Sequence, residues 1–575
     1  MALEQLSDVV QRCQAIQDDN YTTEDYSVFQ IAGRTCLEDG ESAQVLSIVL
    51  DEENKNIVKC MGWNLLGPLV QILLKKEENN LPPHCLAILT HLLEVCSPKE
   101  LLVGLLEQVE EAHPDSIAET VILLLQPLQK VLLRLGSRKA SSVGMALSTL
   151  LDQVARLPVP QTKEQEEDDV FSLCRCCSAL LVFVRPFVEE AKQSRTPKED
   201  ELRTELLKFS MKSLCEPLLE VQLKDPETLA ESPLRNFATE ILGILSDIGE
   251  SLPDLLSHSL LRRREVPGFL EEEVCYPKES LACLAYLLFV QHIAMDTFPT
   301  VFSSVFILQC NMEYINLFLS RTEESRLQKG LDLYEKSLVR VEDNSLPVQL
   351  MELKSFFSVP QRIKGLKVLQ LSIDKFDTEA KYKFFQCMLK TSHHAGVEGY
   401  IIKNIKNQID FAFKPDKGNE WFMGAHLFPL LRQVLCLPQG PETDLLQNLD
   451  RVMESLNLLR YLLIRDKAWR NQTGIWTELY KIEDYYMKPL RTGLNMSKAH
   501  YEAELQNTKD NSKKTNAKVS QTQESVCSLT VGNEKMPNMT PEMQLQVLHS
   551  ALHTFDMMES VLARIEEIIE VKEKP

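Results

Sequence analysis

The chain has 575 residues, 44% of them hydrophobic and 25% charged, with a formal net charge of −21 at pH 7. That balance excludes wholesale disorder, and the acidic excess works against general binding to phosphate backbones while favouring basic partners. A single hydrophobic core stops growing at roughly 250–300 residues, so a chain of this length needs several domains or a serial architecture.

Leu carries most of the apolar content, and it forms helices without the χ1 restriction that pushes Val and Ile toward strands. Residues 1–260 read as a run of short helices broken at Pro, Gly, Asn and Ser. One break falls within Asn64–Leu74, where Pro68 is placed to open the next helix. Ser97-Pro98-Lys99-Glu100 repeats the device, with Ser97 as N-cap and Glu100 three residues after it. Leu157–Pro160 closes this run and an acidic stretch, Glu164–Asp169, follows. The segment from Arg262-Arg263-Arg264 to Glu271-Glu272-Glu273 marks a polar loop over 261–279. Helical periodicity then runs over 280–505 and is clearest at Asp444–Ile464. There Leu445, Leu449, Val452, Leu456, Leu459 and Leu463 form one stripe, with Asp450, Arg451, Glu454 and Arg460 opposite. Gln506–Gln523 is almost devoid of apolar residues, so 506–540 reads as a flexible polar linker. A last helix over 541–575, with Thr540 as its N-cap, carries the stripe Leu545, Leu548, Leu552, Phe555, Leu562, Ile565 and Ile569. The expected fold is all-α, a HEAT-like helical-repeat solenoid of degenerate pairs about 40 residues apart.

No motif in this rhythm carries chemistry. The 15 cysteines follow no disulfide framework; Cys60, Cys85, Cys96, Cys215, Cys283, Cys310, Cys387 and Cys436 sit in apolar helical stretches, as small buried hydrophobes do. Cys174-Arg175-Cys176-Cys177 has no second Cys or His pair at zinc spacing and no strand–turn–helix context. His549 and His553 share a helix face, but Ser550 stands where a zinc protease needs Glu. Gly62–Gly67 has phosphate-loop glycine spacing, but Pro68-Leu69 replaces the Lys and Ser/Thr. Neither an enzyme nor a cofactor is expected. The N-terminus lacks the basic and apolar regions of a signal peptide, and the longest apolar run, Leu281–Val290, is about half a membrane span. The expected compartment is reducing and cytoplasmic, with no membrane span and no nucleic acid among the partners.

Several blocks resemble the glomulin-like family, HEAT-like inhibitors of cullin–RING ubiquitin ligases. They are NKNIVKCMGWNLLGPL at Asn54–Leu69, Arg321–Ser325, Val341–Leu346, ETDLLQN at Glu442–Asn448, SLNLLRYL at Ser455–Leu462, GLNMSKAHYEAE at Gly493–Glu504, PEMQLQVLHSAL at Pro541–Leu552 and SVLARIEE at Ser560–Glu567. Against the family pattern the join Ser358–Arg362 is shorter by about one helix, and the tail ends soon after Lys572. The resemblance implies binding to the RING domain of the RING-box subunit, and through it to cullins, over the surface that recruits the ubiquitin-conjugating enzyme. It also implies links to FK506-binding immunophilins, to a receptor tyrosine kinase and to vascular development. It assigns the RING-facing surface to the C-terminal half, completed by 541–575. Arg564 is the expected anchor, with pairing to Glu567 or Glu559 as the alternative, and Lys498, His500, Tyr501 and Glu504 are further partner-binding candidates. The other functional class open to such a chain is a helical scaffold for immunophilins or receptor-signalling proteins, binding through residues 1–155.

Overall fold

The computed structural model describes residues 2–16, 21–75, 83–136, 139–193, 201–223, 232–256, 277–297, 302–350, 362–414, 420–516, 527–531, 534–539 and 541–573. Apart from one small hairpin the regular elements of these residues are α-helices with short 3-10 turns and one π-helical turn, the all-α helical-repeat architecture expected of the periodicity. The chain forms two compact units, Met1–Val341 with Lys354–Leu371, and Glu342–Leu353 with Ser372–Pro575.

The first unit contains α1 (Ala2–Gln14), α2 (Thr23–Glu38), α3 (Ser42–Leu50), α4 (Lys55–Met61), α5 (Leu66–Leu74), α6 (Pro83–Val95), α7 (Pro98–Glu110) and α8 (Ile117–Arg134). It continues through α9 (Ala140–Val154), α10 (Lys163–Glu167), α11 (Leu173–Gln193), α12 (Glu201–Cys215), α13 (Pro233–Asp247), α14 (Lys278–Phe289), α15 (Ser304–Leu319) and α16 (Glu324–Val339). Some helices pack on their successor, as α1 on α2, α7 on α8 and α15 on α16, while others skip along the chain, as α3 to α6, α8 to α11 and α9 to α12, so apolar faces are shared among several neighbours. Side chains also reach across the stack to satisfy carbonyls. Arg134 at the end of α8 donates to Cys96 O (3.0 Å) and to Leu93 O, and Gln129 to Phe183 O (2.8 Å) on α11. Ser97 stands at the N-cap of α7, as expected, but its side chain makes no capping hydrogen bond.

Two stretches, Glu52–Leu74 and Pro114–Arg134, are long and apolar enough to cross a bilayer, and 56% of each apolar window is buried within the fold. A stack helix covered by neighbours on both sides acquires this composition; the longest uninterrupted apolar run does not register it. Helices on either side of residues 257–276 pack together: Ser280 Oγ donates to Met211 O (2.7 Å), and Arg235 Nη1 to Gln291 Oε1 (2.8 Å). The segment read as a polar loop over 261–279 therefore falls inside the first unit, and its residues up to 276, with the triple arginine, lie outside those described.

Lys329 of α16 is fully buried. Its ammonium donates to Leu218 O (3.0 Å) and Leu219 O and lies 5.3 Å from the Tyr286 ring centroid. Burial pushes this lysine down to about 8.

Helix α17 (Arg362–Lys375) begins in the first unit and ends in the second; the join Ser358–Gln361 lies outside the described residues. The second unit continues with α18 (Thr378–Thr391), α19 (Ala395–Ala412), α20 (Gly424–Val434), α21 (Leu449–Arg465), α22 (Ile475–Ile482), a π-helical turn at Glu483–Met487, and α23 (Lys488–Asn516). It ends with the hairpin β1 (Cys527–Val531) and β2 (Glu534–Met539), then α24 (Pro541–Glu573). The polar segment read as a flexible linker over 506–540 thus carries α-helix to Asn516 and then, beyond 517–526, a hairpin; the N-cap expected at Thr540 lies outside the described residues. Its Lys and Gln residues are good helix formers that need no buried face to extend an existing helix.

Helices α19 and α21 run parallel. Glu398 pairs with Arg451 (2.7 Å) near their starts, and the Tyr461 hydroxyl donates to Asp410 (2.5 Å) near their ends. Helix α21 begins at Leu449 rather than Asp444, because the Asp444 carboxylate accepts the backbone N–H of Leu446 and Gln447 and holds a turn there. Its apolar stripe is inward as read, but Arg451, expected on the opposite, solvent side, is buried. Its guanidinium also donates to Gln433 O (3.0 Å), so the charge is compensated within the core.

Candidate protein-binding surface

The C-terminal helices α23 and α24 are antiparallel neighbours, and α24 also packs on α21. Arg491 grips Glu566 with two nitrogens (Nε to Oε1 3.1 Å), and Lys498 reaches Asp556 (2.6 Å) and Glu559. Tyr501 stands edge-on to Phe555 with ring centroids 5.4 Å apart, and Leu505 is buried with Leu548. Positions rise along α23 as they fall along α24, which is the pairing two opposed apolar stripes produce. Donating hydrogen bonds to Glu566 raises Arg491, and donating to Asp556 and Glu559 raises Lys498, above their ordinary values. Being partly exposed, such bridges contribute about 1 kcal/mol or less each; the buried Phe555, Leu562, Ile565 and Ile569 hold most of the contact.

The residues singled out in the sequence separate into two groups here. Lys498 and Tyr501 face the α23–α24 seam, Lys498 in its double bridge and Tyr501 half-buried on Phe555. Glu504 is half-buried, and its carbonyl accepts the Thr508 hydroxyl (2.8 Å). His500 and Arg564 are exposed. His500 lies edge-on to Tyr501 at 5.5 Å, and Arg564 pairs with Glu567 one turn on, the alternative foreseen for it. Because both partners of that pair are more than half exposed, it leaves the guanidinium available to a second protein.

Two residues the sequence reading passed over share the face of Arg564. Met557 is 54% exposed and Val571 66% exposed, and the three stand seven residues apart on one solvent-facing stripe. His549 and His553 are exposed on the same helix. An arginine between two exposed apolar side chains on a braced helix suits binding to another protein, in which Arg and large apolar groups supply most of the energy. The spacing was present in the sequence; exposure of these two apolar residues was not.

Elsewhere the chemistry-bearing motifs are structural. Cys174, Cys176 and Cys177 are buried at the start of α11. Burial pushes the thiols of Cys174 and Cys176 up to about 12 and Cys177 well above its ordinary value, so they stay protonated. Of the cysteines read as buried hydrophobes, Cys60, Cys215 and Cys387 are half-buried and Cys436 is exposed, since it lies past the last turn of α20. His394 is the N-cap of α19: its Nδ1 accepts the Val397 N–H (3.4 Å). Among the described residues no group of three His, Cys, Asp or Glu is placed to hold a metal ion.

Fold and surface together define a helical-repeat protein with a protein-binding role. The family described as "Uncharacterised protein family, YAP/Alf4/glomulin" matches residues 1–551, and the chain belongs to it. It is 51% identical over 592 aligned residues to glomulin of Mus musculus, covering 100% of this chain and 98% of the relative. It is 49% identical over 594 residues to glomulin of Homo sapiens, with the same coverage.

Proposed function

We propose that this chain is a cytoplasmic, non-enzymatic inhibitor of cullin–RING ubiquitin ligases. It binds the RING domain of the RING-box subunit with the outer face of α24 and neighbouring surface of α23, and it sterically blocks the ubiquitin-conjugating enzyme. FK506-binding immunophilins and a receptor tyrosine kinase are further partners on this reading. The observation that carries it is similarity to glomulins along the full chain. The physical support is a helix pair braced at Arg491–Glu566 and Lys498–Asp556, which presents Met557, Arg564 and Val571 on a backbone that needs no further ordering on binding. A shallow RING surface needs such a stiff opponent with a few anchors rather than a deep pocket.

The test is competition: ubiquitin-charged conjugating enzyme is titrated onto a RING-box–cullin complex with and without the purified chain. The expected result is mutual exclusion and loss of ubiquitin-chain synthesis. Simultaneous binding, with neither weakening the other, overturns the reading.

A further inference from the structure

We propose that the loop between α21 and α22 is a second docking site, for an acidic peptide segment of a partner protein that carries an aromatic or aliphatic side chain. The loop exposes Trp469 to 76%, the largest exposure among the big apolar side chains described, and Ile464 at the preceding helix end is 50% exposed. Singly exposed apolar residues are ordinary; an exposed tryptophan on a rigid, charged loop is not.

The rigidity is built from one buried carboxylate. Asp466 is 1% exposed, and it accepts the N–H of Gln472 (3.0 Å), the N–H of Thr473 (2.8 Å) and the Thr473 hydroxyl (2.5 Å). Its own carbonyl accepts the Trp476 indole N–H (2.8 Å). Arg470 N and Asn471 N both donate to Lys467 O at 2.8 Å, which closes the turn under Trp469. Gly474 ends the loop at φ 77°, and a Cβ there would meet the Phe428 ring at 2.6 Å. The loop backbone is therefore held in one conformation before any partner arrives, which lowers the ordering cost of binding.

The charge is equally specific. Arg465, Lys467 and Arg470 are exposed, while the one acid among them, Asp466, is turned inward. The Arg470 guanidinium lies over the Trp469 ring, 4.6 Å from its centroid. Glu478, on the helix that follows, is engaged by Lys481 (2.9 Å) and Arg432 (3.8 Å). A chain of net charge −21 thus presents a compact basic tip around an aromatic platform. Arg465 lies in the last turn of its helix, where a cation complements the dipole; Lys467 and Arg470 lie beyond it and have no such role. Nucleic acid and anionic membrane are disfavoured because the rest of so acidic a surface repels an extended polyanion, whereas a short acidic segment reaches the tip alone. Tryptophan and arginine are also the side chains that most often dominate protein interfaces. None of this depends on the RING reading.

The probe is a fluorescein-labelled ten-residue peptide of Asp and Glu with a central Phe, titrated with the full chain and read by anisotropy at low and high salt. Saturable binding is expected, with weakening of tenfold or more by Trp469→Ala, by the pair Lys467→Glu and Arg470→Glu, by replacing the peptide's Phe with Ser, and by high salt. Circular dichroism of the variants should match the parent, since all three side chains are exposed. The proposal is overturned if the peptide does not bind, if the variants bind it as well as the parent, or if anionic vesicles or duplex DNA bind through Trp469 more tightly than the peptide.

Discussion

At the scale of the residue, two buried cations govern local stability in different ways. Arg451 is paired with Glu398 inside the second unit. Arg451→Met leaves that carboxylate buried without its partner and is expected to cost about 3–5 kcal/mol, measured by denaturant unfolding. Adding Glu398→Met to it should restore much of the loss; a double variant no better than the single one would show that the pair is not the cause. The Lys329 ammonium instead rests on two carbonyls and a ring, with only a weaker electrostatic pull from Glu220. Its folded value is about 8, against an ordinary 10.5. Below pH 8 the folded state carries the cost of the buried charge in full. Between about 8 and 10.5 the unfolded chain binds more protons at this residue, so its contribution to stability rises with pH, by about 3 kcal/mol in total. Unfolding free energies of the parent and Lys329→Met, measured at pH 7 and pH 10, should therefore diverge in the parent's favour at the higher pH. A difference that does not change with pH would remove Lys329 from this role.

At the scale of the element, the last helix has two faces with separate work. Phe555, Leu562 and Ile565 on one face hold it to its neighbours, and Met557, Arg564 and Val571 on the other meet solvent. On the proposed function, Arg564→Ala should weaken binding to the RING-box subunit by roughly 1–4 kcal/mol, and Met557→Ser should weaken it less, with neither shifting the melting temperature. Calorimetric titration checks this, and unchanged affinity in both variants would remove the stripe from the interface. The apolar stripe of this helix was legible in the sequence because it recurs at helical spacing from Leu545 to Ile569, about seven turns. The candidates on α23 were less so: Lys498 and Tyr501 have the residue types of an interface, but only the neighbouring helix shows that Asp556, Glu559 and Phe555 already occupy them. Periodicity likewise put Arg451 on a polar side, since helical spacing cannot reveal a buried glutamate supplied by a helix some fifty residues earlier.

At the scale of the whole molecule, a serial stack divides cohesion among many neighbour contacts, and the chain has two compact units. Its thermal unfolding should not be one two-state step: the calorimetric enthalpy should exceed the van't Hoff enthalpy, or more than one transition should appear. Equality of the two enthalpies would mean that the units melt as one.

The sequence alone determined the helical class, the serial architecture and the inward stripes, because these follow from short-range periodicity and from a length that one core cannot serve. It also carried the family, through long matching strings. Tertiary structure decided where the first unit ends, which cations are compensated in the core, and which exposed side chains are spared by their neighbours. Those outcomes depend on pairs such as Glu398 with Arg451, or on the buried Asp466 that ties down the loop carrying Trp469, and a partner's position in space is not encoded in the local pattern that surrounds each residue.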